Sequence, residues 1–336
     1  MAARRRRVPG NPTTALVLGA GGVLGAAWMT GALPAIQERM QCPVGDVDLM
    51  VGTSAGSVIA AALRCGASID EIVAYQRGEP VGALAGLGDV HGGPWPRPPR
   101  LRFGSPRLMA SALMAPHRVH PTVHASAWLP VGRENHGRLH AMVHLLHSMA
   151  PPCALAPHWV ERGQTWVIAV DYDSGKRVVF GSADAPAAGL ADAVAASCSV
   201  PGWYEPFVIG GRRYVDGGVR SATSLGLVGA AGIDEVWVLA PMASIAADWP
   251  YAPHLRVERT VRSLLTHALM REVRALRAKG VAVTVLTPGP EDLAAMGINL
   301  MDPRRKLAVL ETSLRTSPAG LAANAGLAAD AGKKSA

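Results

Sequence analysis

Aromatic residues are scarce: three Phe, five Tyr and eight Trp make up 5% of the 336 residues. The arginines therefore have no aromatic interleaving of the kind that reads bases, which argues against nucleic acid as a partner. Cysteine is equally sparse. Cys42, Cys65, Cys153 and Cys198 are widely scattered and form no C-x-x-C pair, a pattern of buried thiols in a reducing compartment rather than of a disulfide frame or a zinc site. Acidic residues number 25 against 33 Lys and Arg, leaving a formal charge of +8, half of it from Arg4 to Arg7. The apolar stretch from Ala15 to Ile36 is interrupted by several glycines and by Pro34. The interruptions argue against a signal sequence or membrane span, and the expectation is a cytoplasmic protein. No internal repeat is present, and no linker separates two domains.

Ala, Val, Leu and Gly are plentiful. Hydrophobic residues reach 49% and mean hydropathy is +0.19, a compact α/β composition long enough to bury a full core. The chain is organised around Val47 to Ala62. Leu49 to Val51 reads as a short buried strand and Ala55 to Cys65 as a helix, so Gly52-Thr53-Ser54-Ala55-Gly56 must turn sharply between them. That is the frame of a G-x-S-x-G nucleophile elbow, with Ser54 at the crest and at a helix N-terminus. Taken alone, the five residues fit equally well a simple helix cap.

Before it, Thr14 to Leu18 reads as a strand ending in Gly19-Ala20-Gly21-Gly22-Val23-Leu24-Gly25, with helical spacing from about Ala26 to Met40. A dinucleotide fingerprint would need glycine where Leu24 stands, and a phosphate loop would need a lysine. An oxyanion hole needs only free adjacent amides, such as those of Gly21 and Gly22, close to a nucleophile. A serine elbow on the next strand favours that third reading.

Further on, Ser68-Ile69-Asp70-Glu71 has the form of a capping box opening a helix to about Gln76. Residues from Gly78 are rich in Pro, Gly and Arg, and from His91 to Arg133 there are six arginines and no acid. This basic segment, about 78–149, reads as an irregular insertion, either a lid suited to a membrane surface or a solvated loop. Glu134 to Met149 reads as a helix carrying His136, His140, His144 and His147 along one face. The row lacks the glutamate of a zinc-protease helix, so a polar face explains it better than a metal site, and a pH-responsive element is a further option.

Thr165 to Val170 and Arg177 to Phe180 read as a hairpin, Leu190 to Cys198 as a small-residue helix, and Phe207 to Ile209 with Arg213 to Val215 as a second hairpin. The second strand of that hairpin ends in Asp216-Gly217-Gly218, where an aspartate can approach another backbone closely; an ordinary turn is the alternative. Glu235 to Leu239 and Val281 to Leu286 read as strands, Val257 to Lys279 as a long amphipathic helix and Arg304 to Leu314 as a last helix. Residues 1–12 read as a disordered basic leader and 316–336 as a flexible Ala/Gly-rich tail.

The glycine loop, the Gly52–Gly56 elbow and Asp216-Gly217-Gly218, in that order, together resemble the patatin-like phospholipase family. Ala196-Ser197-Cys198-Ser199-Val200-Pro201 and Tyr214-Val215 are similar as well. The resemblance implies a three-layer α/β/α domain around a mostly parallel sheet, here 13–315, and hydrolysis of lipid acyl esters by a Ser-Asp dyad with neither metal nor cofactor. By it, Ser54 is the nucleophile, Asp216 the base, and the amides of Gly21, Gly22 and Ala55 the oxyanion hole, with Gly19, Gly25, Gly52, Gly56, Gly217 and Gly218 as motif glycines. Many members carry Arg or Lys where this chain has Leu24, although lipid-droplet lipases of the family have an apolar residue there.

On this reading the partner is a lipid or ester substrate, with peripheral membrane contact through the basic insertion. Two other functions fit the same residues. One is a catalytically silent lipid-binding or regulatory protein. The other is a Ser-Asp-His esterase using His254 or His267, although a serine this early is out of order for an α/β-hydrolase.

Overall fold

A computed structural model describes residues 12–79, 81–85, 104–114, 116–129, 159–160, 162–246, 248, 250 and 252–333. The basic leader and the histidine row His136, His140, His144 and His147 lie outside the described residues. Eight strands form one sheet: β1 (Thr14–Leu18), β2 (Leu49–Thr53), β3 (Gln164–Asp171), β4 (Arg177–Phe180), β5 (Phe207–Ile209), β6 (Arg212–Asp216), β7 (Glu235–Leu239) and β8 (Ala282–Leu286). The order β8-β7-β1-β2-β3 is parallel throughout, while β4 and β6 join β3, and β5 joins β6, antiparallel. The five parallel strands are short apolar runs covered on both faces, as such strands must be.

Strand alternation sends β1 side chains to two cores. Leu16 and Leu18 meet α1 (Gly22–Met40), α2 (Ala55–Arg64) and α3 (Ile69–Arg77), whereas Ala15 and Val17 join Leu269, Val273 and Leu276 of a long helix over Pro253–Arg277. Helices on both faces of a mostly parallel sheet give the expected α/β/α layering. The capping box of α3 is formed, with the Ser68 hydroxyl accepting from the Glu71 amide and the Glu71 carboxylate accepting from the Ser68 amide.

Three expectations need correction. The first helix begins at Gly22, inside the glycine loop, rather than at about Ala26, and runs through Pro34 as expected. Its glycines serve close packing. A β-carbon on Gly31 would lie 2.7 Å from the Leu310 carbonyl oxygen and from Ser313 Cβ, so two helices cross backbone to backbone there. Ser313 seals that crossing by donating to the Trp28 carbonyl at 2.7 Å.

The last helix does not stop at Leu314. It spans Lys306–Lys333 through Pro318, with Ser313, Ser317 and Leu321 buried, and it lies against α1 at Leu310, Ser313 and Leu314.

The described part of the insertion is not irregular. It holds α4 (Pro106–Met114) and α5 (Pro121–Ser126), which place Leu108, Val123 and Ala127 against Val170, Tyr172 and Val215. Few apolar residues anchor such short helices, so the Pro and Arg around them hid the pattern. Among the described residues no helix is long and apolar enough to cross a membrane.

Candidate active site

The geometry of the site follows from strand register. Ile168 of β3 pairs with Thr53 on one side and with Val179 on the other, and Ala169 pairs with Asp216 and Val178. Since β4 occupies one edge of β3, β2 and β6 must share the other, end to end. The turn after β2 and the last residue of β6 therefore meet beside Ile168 and Ala169. Ser54 stands at the first place and Asp216 at the second, and each is 4% exposed.

Ser54 has φ +53° and ψ −123°, a conformation that L-residues rarely adopt and that marks stored strain. The neighbours over-determine it. A β-carbon on Gly52 would lie 2.5 Å from the Ser57 Cα, and one on Gly56 would strike the Leu18 carbonyl. The amide and the hydroxyl of Ser57 both donate to the Ser54 carbonyl, at 2.8 and 2.6 Å. The Ser54 amide donates to the Ser197 hydroxyl at 2.8 Å, and that hydroxyl donates in turn to the Ile168 carbonyl at 2.6 Å. Ser197, fully buried on the helix Leu190–Ser197, thus ties the elbow to β3. Its role was not legible beforehand, since an Ala-Ser-Cys-Ser run signals only small size.

Asp216 Oδ1 accepts from the Gly218 amide at 2.7 Å, and the Ser54 hydroxyl lies near enough to favour the ionised carboxylate. Burial raises its pKa from 3.8 to about 6, opposed by the neighbouring Ser54 hydroxyl and Gly218 amide. Beside it, burial first and then the Asp216 charge push the Cys198 thiol far above its usual range. That thiol is consequently a neutral wall of the site.

The glycine loop closes the arrangement. The Gly19 amide donates to Leu239, that of Ala20 to Ala222 at 2.7 Å and that of Leu24 to Leu300. Gly21 is the N-cap and Gly22 the first residue of α1, so neither amide has a carbonyl one turn back, and Ala55 stands in the same position at the start of α2. Gly21 rests on Pro241, where a β-carbon would lie 2.7 Å from Cγ. Gly22 has φ +60° against Leu300 and Met301. A β-carbon on Gly218 would lie 3.1 Å from the Ala20 Cβ, and one on Gly56 would also lie 2.8 Å from the Gly19 carbonyl oxygen. The three motifs are in mutual contact. Leu24, where a cation stands in many similar chains, is fully buried in the core beneath α1.

Neither late histidine joins them by any hydrogen bond. His267 is exposed, its Nδ1 at 2.7 Å from the Ser263 carbonyl of its own helix, and His254 is exposed near the start of that helix. Among the described residues no group of three or more His, Cys, Asp or Glu could hold a metal.

No curated protein matches the chain. Solved structures similar to it include VipD from Legionella pneumophila, at 12% identity and TM-score 0.43, covering 94% of this chain and 67% of that one. Another is the type III effector ExoU, at 16% identity and TM-score 0.33, covering 93% and 53%; the chain spans about half of ExoU. The family model for patatin-like phospholipase matches residues 16–227, a range that holds the glycine loop, the elbow and the Asp-Gly-Gly turn, and the chain belongs to that family.

Proposed function

We propose that the protein is a serine acyl hydrolase that cleaves lipid acyl esters through a Ser54–Asp216 dyad. The observation that carries this reading is the meeting of a strained, buried serine with a buried carboxylate at the abutting ends of β2 and β6. Family membership supports it, since patatin-like phospholipases are typically lipid acyl hydrolases.

Asp216 takes the Ser54 proton as the hydroxyl attacks the ester carbonyl. The negative charge that forms on the carbonyl oxygen is held by the amides of Gly21, Gly22 and Ala55, each such donor being worth about 2.7–4 kcal/mol of barrier. Asp216 then passes the proton to the leaving alcohol. The acyl group stays on Ser54 Oγ until water, deprotonated by the same carboxylate, releases it. An ordinary aspartate is too weak a base for this near neutrality, and burial supplies the missing basicity. Neutral Cys198 leaves Asp216 as the titrating group beside the serine.

Peripheral membrane contact belongs to the same proposal. Leu113 and Met114 on α4, and Trp128 and Leu129 just past α5, are exposed apolar side chains, and Arg107 and Arg118 accompany them. Such a mixture suits an anionic lipid surface.

The test is turnover of a short p-nitrophenyl ester. Ser54→Ala and Asp216→Asn are each expected to lower it by about 10³-fold or more while the fold is kept. Wild type is expected to label covalently with a fluorophosphonate. Activity surviving in Ser54→Ala would overturn the proposal, and loss of activity in His254→Ala or His267→Ala would point to a triad instead.

A further inference from the structure

Among the described residues eight arginines have carboxylate partners, among them Arg77 with Glu311, Arg162 with Asp46 and Arg315 with Glu291. Arg177, Arg220 and Arg271 do not: none makes a salt bridge to a described carboxylate. Yet the three lie together. Arg220 follows the Asp216-Gly217-Gly218 turn, on the segment whose Ala222 carbonyl receives the Ala20 amide of the glycine loop. One residue on, the Ser221 hydroxyl donates to Glu272 Oε1 at 3.5 Å, and the Gly226 amide donates to Oε2 at 3.1 Å. Those bonds bring the turn of the long helix that carries Arg271 beside the same segment. Arg177 opens β4 and alternates with Val179, which packs on the face covered by the long helix.

His120 completes the group. Its Nδ1 is 2.7 Å from the Thr122 hydroxyl, which donates to the Val219 carbonyl at 2.5 Å, next to Arg220. The electrostatics agree with this placement. The Arg177 pKa is lowered by burial first and then by Arg220, with Glu272 opposing. That of His120 is lowered by burial and then by Arg220 and Arg271. Arg177 and His120 thus both lie within the field of Arg220, and the Glu272 carboxylate beside Arg177 already accepts from Ser221 and Gly226.

We propose that Arg177, Arg220 and Arg271, with His120 beside them, form a phosphate-binding site next to the segment that follows the Asp216-Gly217-Gly218 turn. Guanidinium forks match phosphate oxygens in pairs and keep their charge at any working pH. The phosphate can be part of the ester substrate, as a lipid headgroup, or a free anion acting as an effector. The first case rests on the hydrolase reading above; the second does not.

Binding is measured on the full chain carrying Ser54→Ala, titrated with inorganic phosphate and with sn-glycerol 3-phosphate in a calorimeter. One saturable site is expected, weakened roughly tenfold by Arg271→Gln, the loss of one charge-assisted contact. Arg39→Gln, which removes the same charge from the exposed C-terminal end of α1, is expected to leave binding within twofold. Arg177→Gln provides a second variant, and thermal melting shows whether it folds.

Catalysis then separates the sources. If the site holds the headgroup, phosphate competes with a soluble short-chain phosphatidylglycerol and Arg271→Gln raises its KM about tenfold, with kcat and p-nitrophenyl butyrate far less affected. If it takes a free effector, phosphate changes turnover of both esters alike. Absence of saturable binding, or equal weakening by Arg39→Gln, overturns the site. A protein that binds phosphate yet hydrolyses neither ester keeps the site and refutes the hydrolase.

Discussion

The hydroxyl of Ser197 receives the backbone amide of Ser54 at 2.8 Å from a position 143 residues away in sequence, and passes its own proton to the carbonyl of Ile168. One side chain therefore couples the strained elbow to the strand that also pairs with Asp216. Ser197→Ala leaves a buried amide without its acceptor, a loss of about 1–3 kcal/mol. The expected outcome is a fall in kcat of about tenfold to hundredfold with KM for a small ester little changed, and a parallel fall in the rate of fluorophosphonate labelling. Unchanged labelling would mean that the hydroxyl does not hold the nucleophile in place.

Asp216 acts as a base only when ionised. With its pKa raised by burial to about 6, kcat/KM is expected to rise through an acidic limb centred near pH 6 and to be lost as pH falls below it. A limb near pH 4 would indicate a carboxylate in ordinary solvent.

The same shift sets a stability cost. A carboxyl whose proton leaves near 6 in the folded state, rather than at the usual 3.8, binds that proton more tightly when folded. Its favourable contribution is complete at low pH and disappears as pH rises through about 6, a difference of about 3 kcal/mol. Asp216→Asn is therefore expected to be more stable than wild type at pH 8, and the gap to close at pH 4. Denaturant unfolding at both values measures it. A variant that is inactive and also less stable at pH 8 would contradict the assignment of the shift to burial.

Gly22 and Gly232 both have positive φ, +60° and +69°, but only Gly22 is crowded, by Met301 Sδ at 2.7 Å and the Leu300 carbonyl oxygen at 3.0 Å from an added β-carbon. Gly232→Ala carries the backbone strain alone, about 1 kcal/mol, and is expected to keep its activity. Gly22→Ala must move the loop and is expected to lose about 10²-fold or more in kcat if its amide serves the oxyanion. Equal activity in the two would remove Gly22 from that role.

Much of this was legible in the sequence. All eight strands follow from short runs of three to six residues with turn residues between them, and the Gly210-Gly211 turn of the second hairpin has φ +55° and +75°, as a two-residue hairpin turn requires. The three motifs were legible because each needs glycine at fixed offsets, and their contacts show why. What was hidden depended on partners distant in the chain. Nothing near Gly31 announces that Leu310 and Ser313 fill the space the glycine leaves. The end-to-end placement of β2 and β6 is invisible locally, since nothing in Arg212–Asp216 states which edge of β3 it will join. The cationic group of Arg177, Arg220 and Arg271 is dispersed over three elements, and no spacing announces it.

Because the serine and the carboxylate are each placed by their pairing with adjacent residues of β3, their relative position is counted in backbone hydrogen bonds rather than set by loop shape. Sliding β6 by a single residue along its partner would turn Asp216 to the opposite side of the sheet and replace it with Val215 or Gly217. A one-residue deletion within Arg212–Asp216 would accordingly silence the chemistry even where the rest of the sheet still forms.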